Sequence, residues 1–305
     1  MAGVFDGFAV IGVVIGFGAL LAHLGVVDSA GQRTLSAVAF FLASPALLFT
    51  VLQESDIAEV FSGNLVAISA GVLCTLSATV VVGIVRRDGS ARTVVAAMCS
   101  SYCNAGNLGL PIAAYVLGNT ALIAPILLLQ LLVLQPPALM VLDAARNSGR
   151  PSLRSVASRP LRNPITVASL AGVGVTLAEL RVPEVVNAPI ALIGGMAVPS
   201  MLLAYGVSLR LGPLPGRGVP AADLGLAVGL KLLVQPAVAY VVGRLIGLDN
   251  ESLLAVTVIS ALPTAQNVFV IASRYQRAEL LARDAIFVST FGCVPVVIVI
   301  VALLA

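Results

Sequence analysis

The sequence predicts an all-α integral membrane protein of ten transmembrane helices in two sets of five. Three observations carry that expectation. Of 305 residues, 59% are hydrophobic and 10% charged, with a mean hydropathy of +1.06, far from an ordinary soluble domain. The apolar residues gather into ten spans, each near the roughly 20 residues that a bilayer-crossing helix needs. The arginines concentrate in alternate loops, as they do on one face of a membrane protein.

In chain order the spans fall at about 4–22, 34–53, 62–85, 93–117, 121–142, 164–180, 187–209, 223–246, 251–273 and 284–304. The first has no basic residue before it, unlike a signal peptide, and is kept as a helix. The longest polar stretch, Asp143 to Asn163, is rich in arginine and serine and holds Pro151 and Pro160. It reads as a hydrophilic connector. The domain expectation is therefore an N-terminal unit at 1–144, a connector at 145–163 and a C-terminal unit at 164–305.

Arg33, Arg86, Arg87, Arg92, Arg146, Arg150, Arg154, Arg159, Arg162, Arg210, Arg217, Arg274, Arg277 and Arg283 lie on one side of this topology, against only Arg181 and Arg244 on the other. The rich side is expected to be cytoplasmic, with both termini outside, in the plasma membrane of a bacterium (its inner membrane). The net charge of +3 is then a topology signal, and a nucleic-acid partner is not expected. Cys74, Cys99, Cys103 and Cys293 sit inside apolar spans without metal-ligand spacing, so no metal or other cofactor is expected.

Five helices per half make the second half enter from the opposite face, so similar halves would form an inverted repeat. Pro45 in the second span and Pro199 in the seventh are 154 residues apart; Pro111 in the fourth and Pro263 in the ninth are 152 apart.

Two of these spans are interrupted near their middles, at Cys103–Pro111 (CNAGNLGLP) and Leu262–Asn267 (LPTAQN). Paired interruptions in corresponding helices point to the substrate site of a membrane transporter. Proline removes a backbone donor and clashes with the preceding turn, so the freed carbonyls need partners or a wet cavity. Half-helices starting near Pro111 and Thr264 would aim N–H groups and positive dipole ends into the gap, a site suited to anions. Asn104, Asn107, Gln266 and Asn267 add donors and acceptors at that depth. The alternative is kinked, packed helices joined by amide hydrogen bonds.

Lys231, the one lysine, lies about 12 Å into the eighth span at 1.5 Å per residue. It is expected either as a counter-charge to an anion or in the place of a coupling cation, or as a snorkelling side chain reaching the inner interface. Gln130, Gln135 and Gln235 are expected mainly as interhelical hydrogen-bonders, Asp6 and His23 as interfacial residues, and Tyr102 and Tyr275 as packing or stacking groups beside the breaks. No span carries a carboxylate at mid-depth, which argues against a proton relay on Asp or Glu.

The stretches NAGNLGLPIA (104–113) and ALPTAQNVFVIASRY (261–275), with the five-plus-five layout and short arginine-rich central loop, resemble the auxin efflux carrier family, which includes bacterial malonate-type carriers and the plant PIN proteins. The resemblance covers essentially the whole chain. It implies inverted repeats similar to bile-acid sodium symporters, whose broken fourth and ninth helices cross at their prolines. By that likeness Pro111 and Pro263 are crossover prolines, with Asn104, Asn107, Gln266 and Asn267 around them. Helices one, two, six and seven would form a scaffold and homodimer contact, and the other six would move by an elevator or rocking displacement.

The expected function is secondary active transport of small organic anions, mono- or dicarboxylates of the malonate, malate or auxin kind, with Na+ or H+ as possible coupling ion. A membrane sensor or assembly subunit and a passive anion channel are the alternatives. An enzyme is not expected, since no Ser–His pair, HExxH or paired aspartates appears.

Overall fold

Polar backbone in a bilayer must be satisfied inside its own segment, which leaves helices as the economical solution for apolar spans like these. The computed structural model describes residues 2–53, 63–109, 112–113, 117, 120–146, 164–212 and 214–304. In order, its helices are α1 (Ala2–His23), α2 (Ser29–Gln53), α3 (Gly63–Val85), α4 (Ser90–Ser101), α5 (Pro125–Arg146), α6 (Pro164–Leu177), α7 (Glu184–Leu211), α8 (Ala221–Leu245), α9 (Asn250–Ser260), α10 (Asn267–Tyr275) and α11 (Glu279–Leu304). Six of them, α2, α3, α5, α7, α8 and α11, are long and apolar enough to cross a membrane. The fourth and ninth apolar spans are broken: α4 is followed by a separate wide turn at Ala105–Gly109, and α9 by α10. Among the described residues there is no strand, only one isolated bridge, Cys103 to Thr264.

The prolines inside the long helices explain their local form. Wide, π-type stretches occupy Ala39–Ala43 in α2, Leu129–Leu134 in α5 and Leu230–Val234 in α8. Each precedes a proline, Pro45, Pro136 or Pro236, whose ring opposes the carbonyl four residues earlier. Widening the helix over those residues accommodates the ring and keeps the freed groups bonded within the helix. In α7, Pro199 instead follows a turn at Gly195–Met196, where the Met196 N–H donates to the Ile193 carbonyl at 3.0 Å.

Without a hydrophobic drive between helices in lipid, close contact comes from small residues. A Cβ on Gly206 of α7 would overlap the Ile15 carbonyl of α1, and one on Gly18 of α1 would overlap Leu203 of α7. A matching contact sets Gly172 of α6 against Phe49 and Leu52 of α2. Gly18 and Gly172 are 154 residues apart, as are Phe49 and Leu203, the same separation as Pro45 and Pro199. Gly194 of α7 lies against Leu47 of α2, and Thr176 Oγ1 donates to the Leu52 carbonyl at 2.7 Å. Gly71 of α3 allows the Gln235 backbone of α8 to approach.

A second correspondence runs at 160 residues. Arg87 (φ 57) and Gly247 (φ 77) each form a left-handed turn after a long helix, and α4 and α9 begin at Ser90 and Asn250. At the surface, Asp28 caps α2 and Asp249 caps α9; the N–H groups of Gly31 and Ser252, respectively, hold their carboxyls below the usual carboxylate range. Asp223 at the start of α8 takes Arg86 at 2.6 Å and also Arg92. Val185, Leu192, Leu245 and Leu303 point their side chains outward, as lipid-facing positions do.

One sequence expectation is corrected here. Arg283 was placed in a cytoplasmic loop, yet it lies inside α11, fully buried and paired with Asp284 at 2.6 Å. Arginine counting assigns loops by charge alone and cannot see an adjacent carboxylate that lets the charge enter the protein.

Replacing Gly206 by valine forces α1 and α7 apart at the Ile15 carbonyl, an overpacking cost of about 1–3 kcal/mol. The thermal unfolding midpoint in detergent should fall, whereas Gly12→Ala, where a Cβ meets nothing within 4 Å, should not lower it. Equal midpoints for Gly206→Val and the parent would contradict the α1–α7 packing.

Candidate functional site

α4 ends at Ser101 because Tyr102 turns to extended backbone (φ −80, ψ 126). The chain runs straight through Cys103 and Asn104 before the wide turn, in which the Leu108 and Gly109 N–H groups donate to the Asn104 carbonyl at 3.2 and 2.9 Å. α9 ends at Ser260, and the chain stays non-helical to Gln266 because Pro263 cannot donate within a helix. The two breaks cross antiparallel. The Asn104 N–H donates to the Pro263 carbonyl at 2.8 Å, and the Ala265 N–H to the Tyr102 carbonyl at 3.2 Å, on either side of the facing pair Cys103 and Thr264.

Several other backbone groups at the crossing go to side chains. Gln130 of α5 accepts from the Cys103 N–H at 2.5 Å and donates to the Cys103 carbonyl at 3.1 Å. Ser289 of α11 accepts from the Thr264 N–H at 3.0 Å, and the Thr264 hydroxyl donates to the Cys99 carbonyl at 2.7 Å. Gln235 of α8 donates to the Ser101 carbonyl at 3.3 Å. Lys231, in the wide stretch of α8, donates from Nζ to the Ser260 carbonyl at 2.7 Å, at the C-terminal end of α9 where a cation is favourable. Each half-helix end is thereby held from a neighbouring helix.

A cavity of about 110 Å³ adjoins the crossing. Asn104, Gln266, Asn267, Gln130 and Gln135 supply its polar wall, and Phe40, Leu47 and Met201 of α2 and α7 part of its apolar wall. That is room for a small molecule or several waters. Asn104 Nδ2 donates to Gln266 Oε1 at 2.9 Å, and Asn267 Nδ2 to Gln135 Oε1 at 3.4 Å. Asn267 Oδ1 has no hydrogen-bond partner among the described residues. No charged side chain among the described residues lines the cavity.

The expected residues are thus divided. Asn104, Gln266 and Asn267 come together at the cavity, and Pro263 sits in the crossing beside them. Pro111 lies outside the described residues, as does the Asn107 side chain; the Asn107 backbone belongs to the wide turn. The first break is centred on Tyr102–Asn104, seven residues before Pro111, and it is Asn104 that pairs with Pro263. The break needed no proline because its partner strand and Gln130 satisfy the opened backbone. Lys231 is fully buried and donates to the Ser260 carbonyl of α9, a placement that does not fit a snorkelling side chain. Tyr102 is buried apart from the cavity, and Tyr275 donates to Asp143 at 2.7 Å, so neither presents a stacking face to it. His23 lies at the surface with Nδ1 2.9 Å from Arg210, and the Asp6 side chain is outside the described residues. The half-helix expected to start near Thr264 starts at Asn267; Ser289 and Ser260 were not singled out in the sequence, where the signal available was a hydroxyl inside an apolar span.

Comparison with known proteins places the chain among membrane transporters. A profile described as membrane transport protein matches the chain in two stretches, residues 7–144 and 137–301. A protein of Rhizobium meliloti (strain 1021) named "Putative malonate transporter" is 28% identical over 289 residues, covering 91% of this chain and 88% of its own. An "Uncharacterized transporter" of Methanothermobacter thermautotrophicus is 26% identical over 280 residues, covering 91% of both chains. With a cavity beside two crossed helix breaks and a family profile that spans nearly its whole length, the chain belongs to the membrane transport protein family, that of the auxin efflux carriers its sequence resembles.

Proposed function

We propose that this transporter is a secondary carrier of small organic anions of the mono- or dicarboxylate class, malonate being the first to try, working by alternating access at the crossing. The observation that carries the reading is the cavity walled by Asn104, Gln266 and Asn267 where two broken helices cross. Its amides can turn N–H groups to a carboxylate, and the α10 N-terminus begins at Asn267 beside it. The name of the Rhizobium relative favours malonate among the carboxylates.

The architecture behind this reading is two inverted five-helix repeats, 1–144 and 164–305, joined by a cytoplasmic connector at 145–163, with both termini outside a bacterial plasma membrane. Recurrence of the Gly18–Leu203 contact as Gly172–Phe49, and of the Arg87 turn as that of Gly247, supports it. The crossings of α1 with α7 and of α2 with α6 fit a four-helix scaffold and homodimer contact. The remaining helices then form the displaced unit.

Asn104→Ala and Asn267→Ala should each reduce malonate-driven current in proteoliposomes on a solid-supported membrane at least tenfold, with monodisperse protein recovered at the parental yield. Full currents in both variants would refute the site. Lys231→Met removes the hydrogen bond from Nζ to the Ser260 carbonyl that holds the α9 end. It should lower the maximal rate at least tenfold in otherwise folded protein. An unaltered rate, with sodium and pH dependence also unaltered, would leave Lys231 without a part in transport.

A further inference from the structure

A buried ion pair lies away from the crossing. Arg283 and Asp284 are both fully buried, with Arg283 Nε and Nη2 on Asp284 Oδ1 at 2.7 and 2.6 Å. Successive residues on a helix do not face each other, so this pair converges only because something covers both side chains. That cover is the segment joining α7 to α8. The Gly216 N–H donates to Asp284 Oδ2 at 2.8 Å, and the Arg283 guanidinium lies so close to Gly212 that a Cβ there would collide with it. From α7 itself, Tyr205 donates to the Arg283 carbonyl at 2.9 Å, and its ring meets Phe269 of α10 edge-on at 5.7 Å.

We propose that the Arg283–Asp284 pair and the segment Leu214–Pro220 form a latch that holds α11 to α7 in this arrangement and releases when the two units move. The inference rests on the two-unit reading above, in which α7 belongs to the scaffold and α11 to the displaced unit. The segment is a covalent passage between those units. It is built as a joint: Gly216 and Gly218 take positive φ (81 and 91), Pro215 and Pro220 stiffen what lies beside them, and Leu214 is 62% exposed. Its exposed middle is tied to α11 by the Gly216–Asp284 hydrogen bond, and Val219 packs on the core. A buried ion pair is suited to such a place, because its attraction and its desolvation cost nearly cancel. It fixes one geometry while closed and gives way when water reaches it.

The test is hydrogen–deuterium exchange on nanodisc-embedded protein together with malonate uptake into proteoliposomes, comparing the parent with Arg283→Met/Asp284→Leu. Apolar replacement of both partners leaves no lone buried charge, so the fold should survive. Expected are at least tenfold faster exchange confined to the peptide carrying Gly216, an at least fivefold change in maximal uptake rate, and a half-saturating malonate concentration within twofold of the parent. Faster exchange with an unchanged rate would overturn the latch and leave the two-unit reading intact. Exchange spreading through α7 and α11 would also overturn it, making the pair a structural staple. If the parent itself moves no malonate, the substrate reading fails and exchange alone decides. A Gly216 amide opening tenfold faster than the first turns of α11 supports the latch, and opening in step with them overturns it.

Discussion

The constraint on which this structure depends is that no backbone N–H or carbonyl can be left unpaired in a medium without water. Opening two helices in the middle of the bundle would violate it several times over. The crossing resolves the conflict by pairing each break with the other: Asn104 with Pro263, and Ala265 with Tyr102. Gln130, Ser289, Gln235, Thr264 and Lys231 bond several of the groups that pairing leaves. Several polar residues within the membrane spans are thus spent on backbone, while Asn104, Gln266, Asn267 and Gln135 face the cavity.

The same economy governs the long helices. A proline in lipid would orphan a carbonyl, and in α2, α5 and α8 a wide stretch ahead of it keeps the ladder closed. In α8 that widened stretch also carries Lys231, so the distortion required by Pro236 sits where a buried lysine side chain reaches α9. Helix contact follows from small residues: Gly18, Gly206 and Gly172 bring backbones together where side-chain burial brings no gain over lipid.

Much of this was legible in advance, for identifiable reasons. Apolar spans are long and local, so composition located the helices, and the two interruptions were visible because proline, glycine and asparagine are rare together in such spans. The Asn104, Gln266 and Asn267 cluster followed from placing those breaks at one depth. The register of the first break did not follow. Pro111 was its most conspicuous residue, while the break that crosses Pro263 is at Cys103–Asn104, stabilised by a strand 160 residues away and by Gln130. Lys231 could be flagged as costly, but its direction depended on the Ser260 carbonyl, which no local pattern indicates.

By itself the sequence determined that this is a helical membrane protein and that two of its apolar spans are interrupted, because hydropathy and proline act over a few residues. Tertiary structure decided which broken strands meet, where Lys231 points and that Arg283 leaves the surface for Asp284. Those outcomes depend on partners distant in the chain, and on the free energy of satisfying a polar group that only the folded bundle can supply.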